Sequence, residues 1–261
     1  MTTVPSIVRP AATRVLITGA SSGVGAAVAR QLAAGVSQRE HSQKLHLYLC
    51  GRQKDNLSSV SEECLRSAEN SKLLEVVTAV GDVRWPEDVD RMWEEFGAPP
   101  VDVLVANAGI NRPGPLDQVL PQDYEDVMDT NVKGVFLWLQ KALPGMRSRQ
   151  KGQIVVTNSV LGLKPKGGSS LYCASKYALD GLIGSLREEA REYGVKVGQV
   201  YPAGIATPWW DDPTRGGSRT ESVATSKFLS ADDVAAAILM LIHQAHGSDI
   251  DKIVLQPNSK M

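Results

Sequence analysis

Short apolar, β-branched runs alternate with longer amphipathic stretches along the 261 residues, and a glycine-rich turn follows the first run. No composition break or internal repeat divides the chain. These observations predict an α/β fold: one domain, residues 1–261, built on a doubly wound parallel sheet of about seven strands with helices on both faces. Composition agrees. With 43% hydrophobic and 22% charged residues, the chain is neither disordered nor collagen-like and can bury a large core.

The elements follow in order. Residues 14–18 (RVLIT) form the first strand, 45–50 (LHLYLC) the second, 74–80 the third and 101–106 (VDVLVA) the fourth. Residues 153–158 (QIVVTN), 195–201 (VKVGQVY) and 251–256 (DKIVLQ) supply the last three. Helical patterns cover residues 24–34, 55–70, 85–96, 124–148, 171–193 and 231–246, with Asp55 as the expected cap of the second. Residues 35–44 make a polar connection, and the polar, glycine-rich residues 209–225 read as a flap.

Several function classes fall away. A formal net charge of −1 gives no global field for nucleic acid or an anionic membrane. Cys50, Cys64 and Cys173 are scattered, with no CxxC and no Cys/His cluster, so neither a disulfide framework nor a metal site is expected. His243 and His246 sit near a helix end, where the helix dipole explains them. Trp85, Trp93 and Trp138 fall in helical patterns and read as core or interface residues. The apolar run 234–242 is too short to span a bilayer, and the first dozen residues lack the apolar core of a secretory signal. The last three residues, Ser259-Lys260-Met261, resemble the peroxisomal Ser-Lys-Leu address with Met for Leu. The expected location is the cytosol or a peroxisome-like organelle.

The first candidate site is the turn Thr18-Gly19-Ala20-Ser21-Ser22-Gly23-Val24-Gly25 between the first strand and the first helix. Glycines there let the backbone turn tightly and approach a pyrophosphate, which the free N–H groups and positive dipole end of the helix then hold. The spacing is Gly-x-x-x-Gly-x-Gly, and it resembles that of the short-chain dehydrogenase/reductase family. The likeness extends from about residue 14 to residue 256 through further motifs in order: Asp82-Val83, Asn107-Ala108-Gly109, Asn131-x-x-Gly134, Ser159-x-x-Gly162 and Tyr172-x-x-x-Lys176. Pro202-Ala203-Gly204-Ile205-Ala206-Thr207 is similar to the family's nicotinamide segment, with Ala203 where the family has Gly. Because Ala tolerates positive φ poorly, the backbone there is expected to differ.

The resemblance implies a Rossmann-like fold, a nicotinamide cofactor, a small carbonyl or alcohol substrate, and a homotetramer or homodimer assembled through helices near 127–146 and 174–192. Gly19, Ser21, Ser22, Gly23, Val24 and Gly25 would hold the pyrophosphate. Asp82 and Val83 would meet the adenine. Asn107, Ala108 and Gly109 would line the cofactor cleft, and Pro202, Gly204, Ile205 and Thr207 the nicotinamide. A free ribose 2′-hydroxyl is usually held by an acid at the end of the second strand. Here that end reads Gly51-Arg52, and an arginine forks onto a 2′-phosphate, so the expected cofactor is NADP(H).

Tyr172 and Lys176, four apart on a helical pattern, share a face. Bringing a tyrosine from pKa ~10 to about 7 takes roughly 4 kcal/mol, about what a lysine charge supplies at ~4 Å and an effective dielectric of ~20. Desolvation opposes that shift, so the positive charge of an oxidised nicotinamide is expected to help. In the family's scheme Tyr172 is the general acid/base, Ser159 binds the reacting oxygen, Lys176 lowers the tyrosine pKa and holds the nicotinamide ribose, and Asn131 places a water linking Lys176 to solvent. Trp209 and Trp210, directly after the nicotinamide segment, are expected to wall the substrate pocket. The C-terminal strand favours the branch acting on small hydroxy acids, hydroxy amino acids, aldehydes and ketones. A ketoacyl-thioester reductase and a non-catalytic NADP(H)-binding sensor or scaffold remain open alternatives.

Overall fold

The computed structural model describes residues 14–38, 44–68, 71–212, 214–216 and 226–258. The strands are β1 (Arg14–Thr18), β2 (Leu45–Gly51), β3 (Leu74–Val80), β4 (Val103–Ala106), β5 (Gly152–Thr157), β6 (Val195–Pro202), β7 (Ile205–Ala206), β8 (Leu229–Ser230) and β9 (Lys252–Leu255). The helices are α1 (Gly23–Ala34), α2 (Lys54–Ser67), α3 (Pro86–Glu95), α4 (Pro121–Met128), α5 (Gly134–Ser148), α6 (Ser170–Arg191) and α7 (Ala231–Ile242).

Seven strands form one parallel sheet in the order β3-β2-β1-β4-β5-β6-β9. This is the doubly wound, Rossmann-like α/β arrangement expected from the sequence. Alternation along the strands divides the core in two. Val15, Ile17, Val103 and Val105 face α1, α2 and α7, whereas Leu16, Leu104, Ile154 and Val156 face α3, α5 and α6. Strands buried on both faces explain why the sequence shows continuous apolar runs rather than alternating ones. The strand order reverses between β1 and β4, which opens a crevice at the carboxyl ends of the strands.

The structure corrects several expectations. The helix expected over 124–148 is interrupted by a π-helical turn, Asp129–Lys133, between α4 and α5. Asp55 does not cap α2: Gln53 holds the N-cap position and Asp55 lies in the first turn. The last helix ends at Ile242, with His243 as C-cap, so His246 lies beyond it. Strand pairing in β4 starts at Val103 rather than residue 101. The short parallel pair β7-β8 was not expected; it ties the end of the nicotinamide segment to the start of α7. Ala203 does not need a left-handed backbone. Among the described residues the non-glycine positions with positive φ are Ala98 and Gln150. The Ala203 N–H donates to Leu255 (3.0 Å), so the alanine extends the pairing of β6 with β9.

His41 and the C-terminal tripeptide Ser259-Lys260-Met261 lie outside the described residues. His46 pairs with Glu75 (3.1 Å). Trp138 is buried beside Trp93 and Phe96, and Trp85 is exposed beneath the cations of Arg84 and Lys133. Among the described residues, no helix is long and apolar enough to cross a membrane.

Candidate active site

The crevice is a cavity of about 620 Å³. Gly19, Ser21, Ser22, Gly23 and Val24 line it from the first turn, Arg52 from the end of β2, and Asp82 and Val83 from the end of β3. Asn107, Ala108 and Gly109 enter from the end of β4 and Ser159 from the end of β5. Tyr172 and Lys176 come from α6, and Pro202, Gly204, Ile205 and Thr207 from the segment after β6. Gly25 and Asn131 stand behind this surface and support it.

The phosphate turn is shaped by close approach. Gly19 has φ +64°, and a Cβ on it would lie 2.9 Å from the Ala108 Cα. A Cβ on Gly25 would collide with the Gly19 carbonyl and the Asn107 amide. The end of β4 thus packs directly against the turn. Thr18 fastens the two: its hydroxyl accepts from the N–H groups of Asn107 (2.9 Å) and Ala108 (3.0 Å). Asn107 also donates to the Thr18 carbonyl (3.2 Å) and accepts from the Thr157 hydroxyl (3.1 Å). Ser22 holds the N-cap position of α1, yet its side chain makes no capping bond. The first-turn N–H groups therefore remain available to an anion, and the turn suits a pyrophosphate. The Asp82 carboxylate is held by Arg84 (2.9 Å), which also reaches Asp126 (2.6 Å).

At the other end, Lys176 is buried and its ammonium donates to the Thr157 carbonyl (2.8 Å), 5.4 Å from the centre of the Tyr172 ring. Burial lowers the Lys176 pKa to about 7. Tyr172 moves the other way. Desolvation raises it to about 12, and a hydrogen bond with Ser159 opposes the rise without reversing it. Desolvation thus sets the direction of the Tyr172 shift, and the expected fall toward neutrality is not seen. The tyrosine is a protonated phenol at neutral pH. Ser159 is buried and its hydroxyl accepts from the Leu161 N–H (3.1 Å), which fixes it at the strand end.

Asn131 is buried in the π-helical turn. Its amide joins Ile110, through both backbone N–H (2.8 Å) and carbonyl (2.9 Å), to the Ser175 hydroxyl (2.9 Å) on α6. The widened turn aims this side chain inward, a common use of π-turns. Asn158 makes a comparable brace, donating to the Lys176 carbonyl (3.3 Å) and to Gln199 (2.9 Å).

The substrate side is aromatic. The Trp209 ring stands edge-on to Tyr172 (centroids 6.2 Å apart) and its N–H donates to the Gly109 carbonyl (3.2 Å). Trp210 packs on Trp209 (4.7 Å) and Phe228 (5.4 Å). Both tryptophans line the cavity, as does Phe228, which the sequence did not single out. Three further residues escaped the sequence. Asn111 lines the cavity with a buried Oδ1 that has no hydrogen-bond partner among the described residues. Arg112, between Asp123 (3.4 Å) and Asp126 (3.3 Å), bonds the carbonyls of Asn111 and Thr214. Arg215 bridges from the flap to Ser22 and Gln53. No local pattern marks any of them; only their place in a polar, glycine-rich or post-strand segment was visible.

The short chain dehydrogenase family model matches residues 13–215. The chain belongs to the short-chain dehydrogenase family. Among its relatives, the sepiapterin reductase of Chlorobaculum tepidum is 31% identical over 248 residues, covering 94% of this chain and 96% of that one. Among solved structures, levodione reductase superposes with TM-score 0.77 at 28% identity, covering 94% of this chain and 96% of that one. A metagenomic short-chain oxidoreductase in complex with NADP gives TM-score 0.73 at 27% identity, covering 95% and 98%. Members of the short-chain dehydrogenase family are oxidoreductases acting on small molecules, and the motif residues of this member surround one cavity.

Proposed function

We propose that this protein is an NADP(H)-dependent oxidoreductase of class EC 1.1.1.-, one domain over residues 1–261, that interconverts a small ketone or aldehyde with its alcohol. The observation that carries this reading is the meeting of the Tyr172 hydroxyl, the Ser159 hydroxyl and the Lys176 ammonium at one end of a cavity whose other end presents Arg52 and no acid at Gly51. The Gly19–Gly25 turn would hold the pyrophosphate and Arg52 the 2′-phosphate. Asp82 and Val83 would hold the adenine. Asn107, Ala108 and Gly109, with Tyr172 and Lys176, would hold the ribose and nicotinamide from one side. Pro202, Gly204, Ile205 and Thr207 would do so from the other. When bound, the nicotinamide supplies or accepts the hydride equivalent.

Tyr172, held protonated by its surroundings, donates its proton to the carbonyl oxygen as that oxygen gains charge. Ser159 donates to the same oxygen and stabilises it. Lys176 stabilises the phenolate left on Tyr172, and Asn131 keeps α6 and the end of β4 in register. A neutral phenol is the form that reduction needs at this position. The wall of Trp209, Trp210 and Phe228 favours a substrate with a flat apolar face. Phe136 and Tyr177, exposed on α5 and α6, support assembly into a dimer or tetramer through those helices.

The test is to titrate the protein with NADPH and with NADH, following reduced-nicotinamide fluorescence. NADPH should bind at least tenfold more tightly, and Arg52→Ala should remove most of that preference. Equal or tighter NADH binding would overturn the cofactor assignment.

A further inference from the structure

After the two tryptophans, residues 215 and 216 line the cavity, and Arg215 brings a cation to its cofactor end. Its side chain is 13% exposed. The guanidinium donates to the Ser22 hydroxyl (2.5 Å) and to Gln53 Oε1, and its Nε pairs with Asp212 (3.0 Å). These partners place it with care. Ser22 is the N-cap of α1 and Gln53 the N-cap of α2, so the guanidinium lies between two helix N-termini.

That position is unfavourable for a cation by itself. Both helix ends carry positive partial charge. Arg52 is close enough to act against the Arg215 charge, and burial acts in the same direction; Asp212 opposes both. A serine at an N-cap would ordinarily accept from its own helix, but Ser22 turns its oxygen to Arg215 instead. Two arginines and two helix N-termini gathered around one corner of a cavity form a site for a multiply charged anion.

We propose that Arg215 is a second cationic ligand of the ribose 2′-phosphate, reaching it from the side of Trp209 and Trp210 while Arg52 approaches from the end of β2. The inference rests on the NADP(H) reading above. The 2′-phosphate is favoured over the pyrophosphate because Gln53 and Arg52 belong to the end of β2, where the ribose 2′ position is read. On binding, the guanidinium exchanges the Ser22 and Gln53 oxygens for phosphate oxygens. Asp212 keeps its orientation through Nε, which leaves the Nη1 and Nη2 donors for the ligand.

Calorimetric titration of the full chain with NADPH and with NADH tests this for the wild type, Arg215→Ala and Arg215→Lys. Arg215→Ala should weaken NADPH at least tenfold and NADH less than twofold, the latter also showing that the fold is intact. Arg215→Lys should fall between, since an ammonium keeps the charge and loses the fork. A wild type that prefers NADPH and an Arg215→Ala variant that keeps the preference would overturn the clamp and leave the cofactor reading standing. Equal losses for the two cofactors would likewise overturn it, by assigning Arg215 to the pyrophosphate or to structure. A wild type without preference for NADPH would remove the cofactor reading, and the clamp with it.

Discussion

At the reactive end of the cavity, Asn131, Ser159 and Lys176 are buried and each is bonded to backbone at a strand end or the following turn. At the adenosine end, Arg52 and Gln53 are exposed and Arg215 arrives from a loop. The two ends use charge differently. Where groups leave water, desolvation dominates: it lowers Lys176 to about 7 and raises Tyr172 to about 12. At the other end the guanidinium groups of Arg52 and Arg215 act through the geometry of their fixed forks. On the proposed reading, the reactive end is a place for moving a proton, and the adenosine end a place for recognising a fixed anion. Variants at the first should change rate and pH response; variants at the second should change cofactor choice.

The largest effect expected is that of Tyr172→Phe. Loss of the proton donor should lower kcat by about 10³-fold, while fluorescence titration still shows cofactor binding. Wild-type turnover in this variant would break the contrast between the two ends, since the reactive end would then have no chemical role.

Lys176→Met should appear in stability as well as in rate. The folded protein holds Lys176 at about 7, below the ~10.4 of an unfolded chain. Below pH 7 both states carry the proton and the burial penalty is full. Between about 7 and 10.4 the unfolded state binds more protons, so stability rises with pH by up to about 5 kcal/mol from this group. Thermal melts of wild type and variant across that window should diverge at the acid side and converge toward pH 10. Parallel curves would show that Lys176 keeps its charge in the folded state.

Trp209→Ala is the smallest of these and sharpens the boundary between the ends. Removing the indole opens the substrate wall and leaves the Tyr172 hydroxyl in place, so KM for a small ketone should rise about tenfold with kcat within a few-fold. A fall in kcat comparable to that of Tyr172→Phe would place Trp209 in the reactive machinery.

The sequence disclosed these two ends unequally. The sheet was legible because each buried strand is a β-branched run between turn residues, as in RVLIT at β1 and QIVVT at β5. That the motif residues would meet was legible because the family motifs hold them at fixed spacing within single elements, Tyr172 and Lys176 being one turn apart on α6. The π-turn holding Asn131 was not, because one extra residue in a helical turn scarcely changes an apolar periodicity. Arg215 was illegible for a different reason. It meets Ser22 across 193 positions, and no local pattern encodes a contact made only when the chain folds back. The cap of α2 failed through a preference that tertiary structure overrode: Gln53, bonded to Asn56 and Arg215, occupies the place that a nearby Asp would fill by propensity.

The hydrogen bond from the Trp209 indole to the Gly109 carbonyl also has an optical consequence. Trp209 stands at the reactive end, edge-on to Tyr172 and packed on Trp210, so a group entering beside Tyr172 alters the polarity and contacts of an indole. The emission of this wall is a built-in gauge of occupancy, readable without any added label.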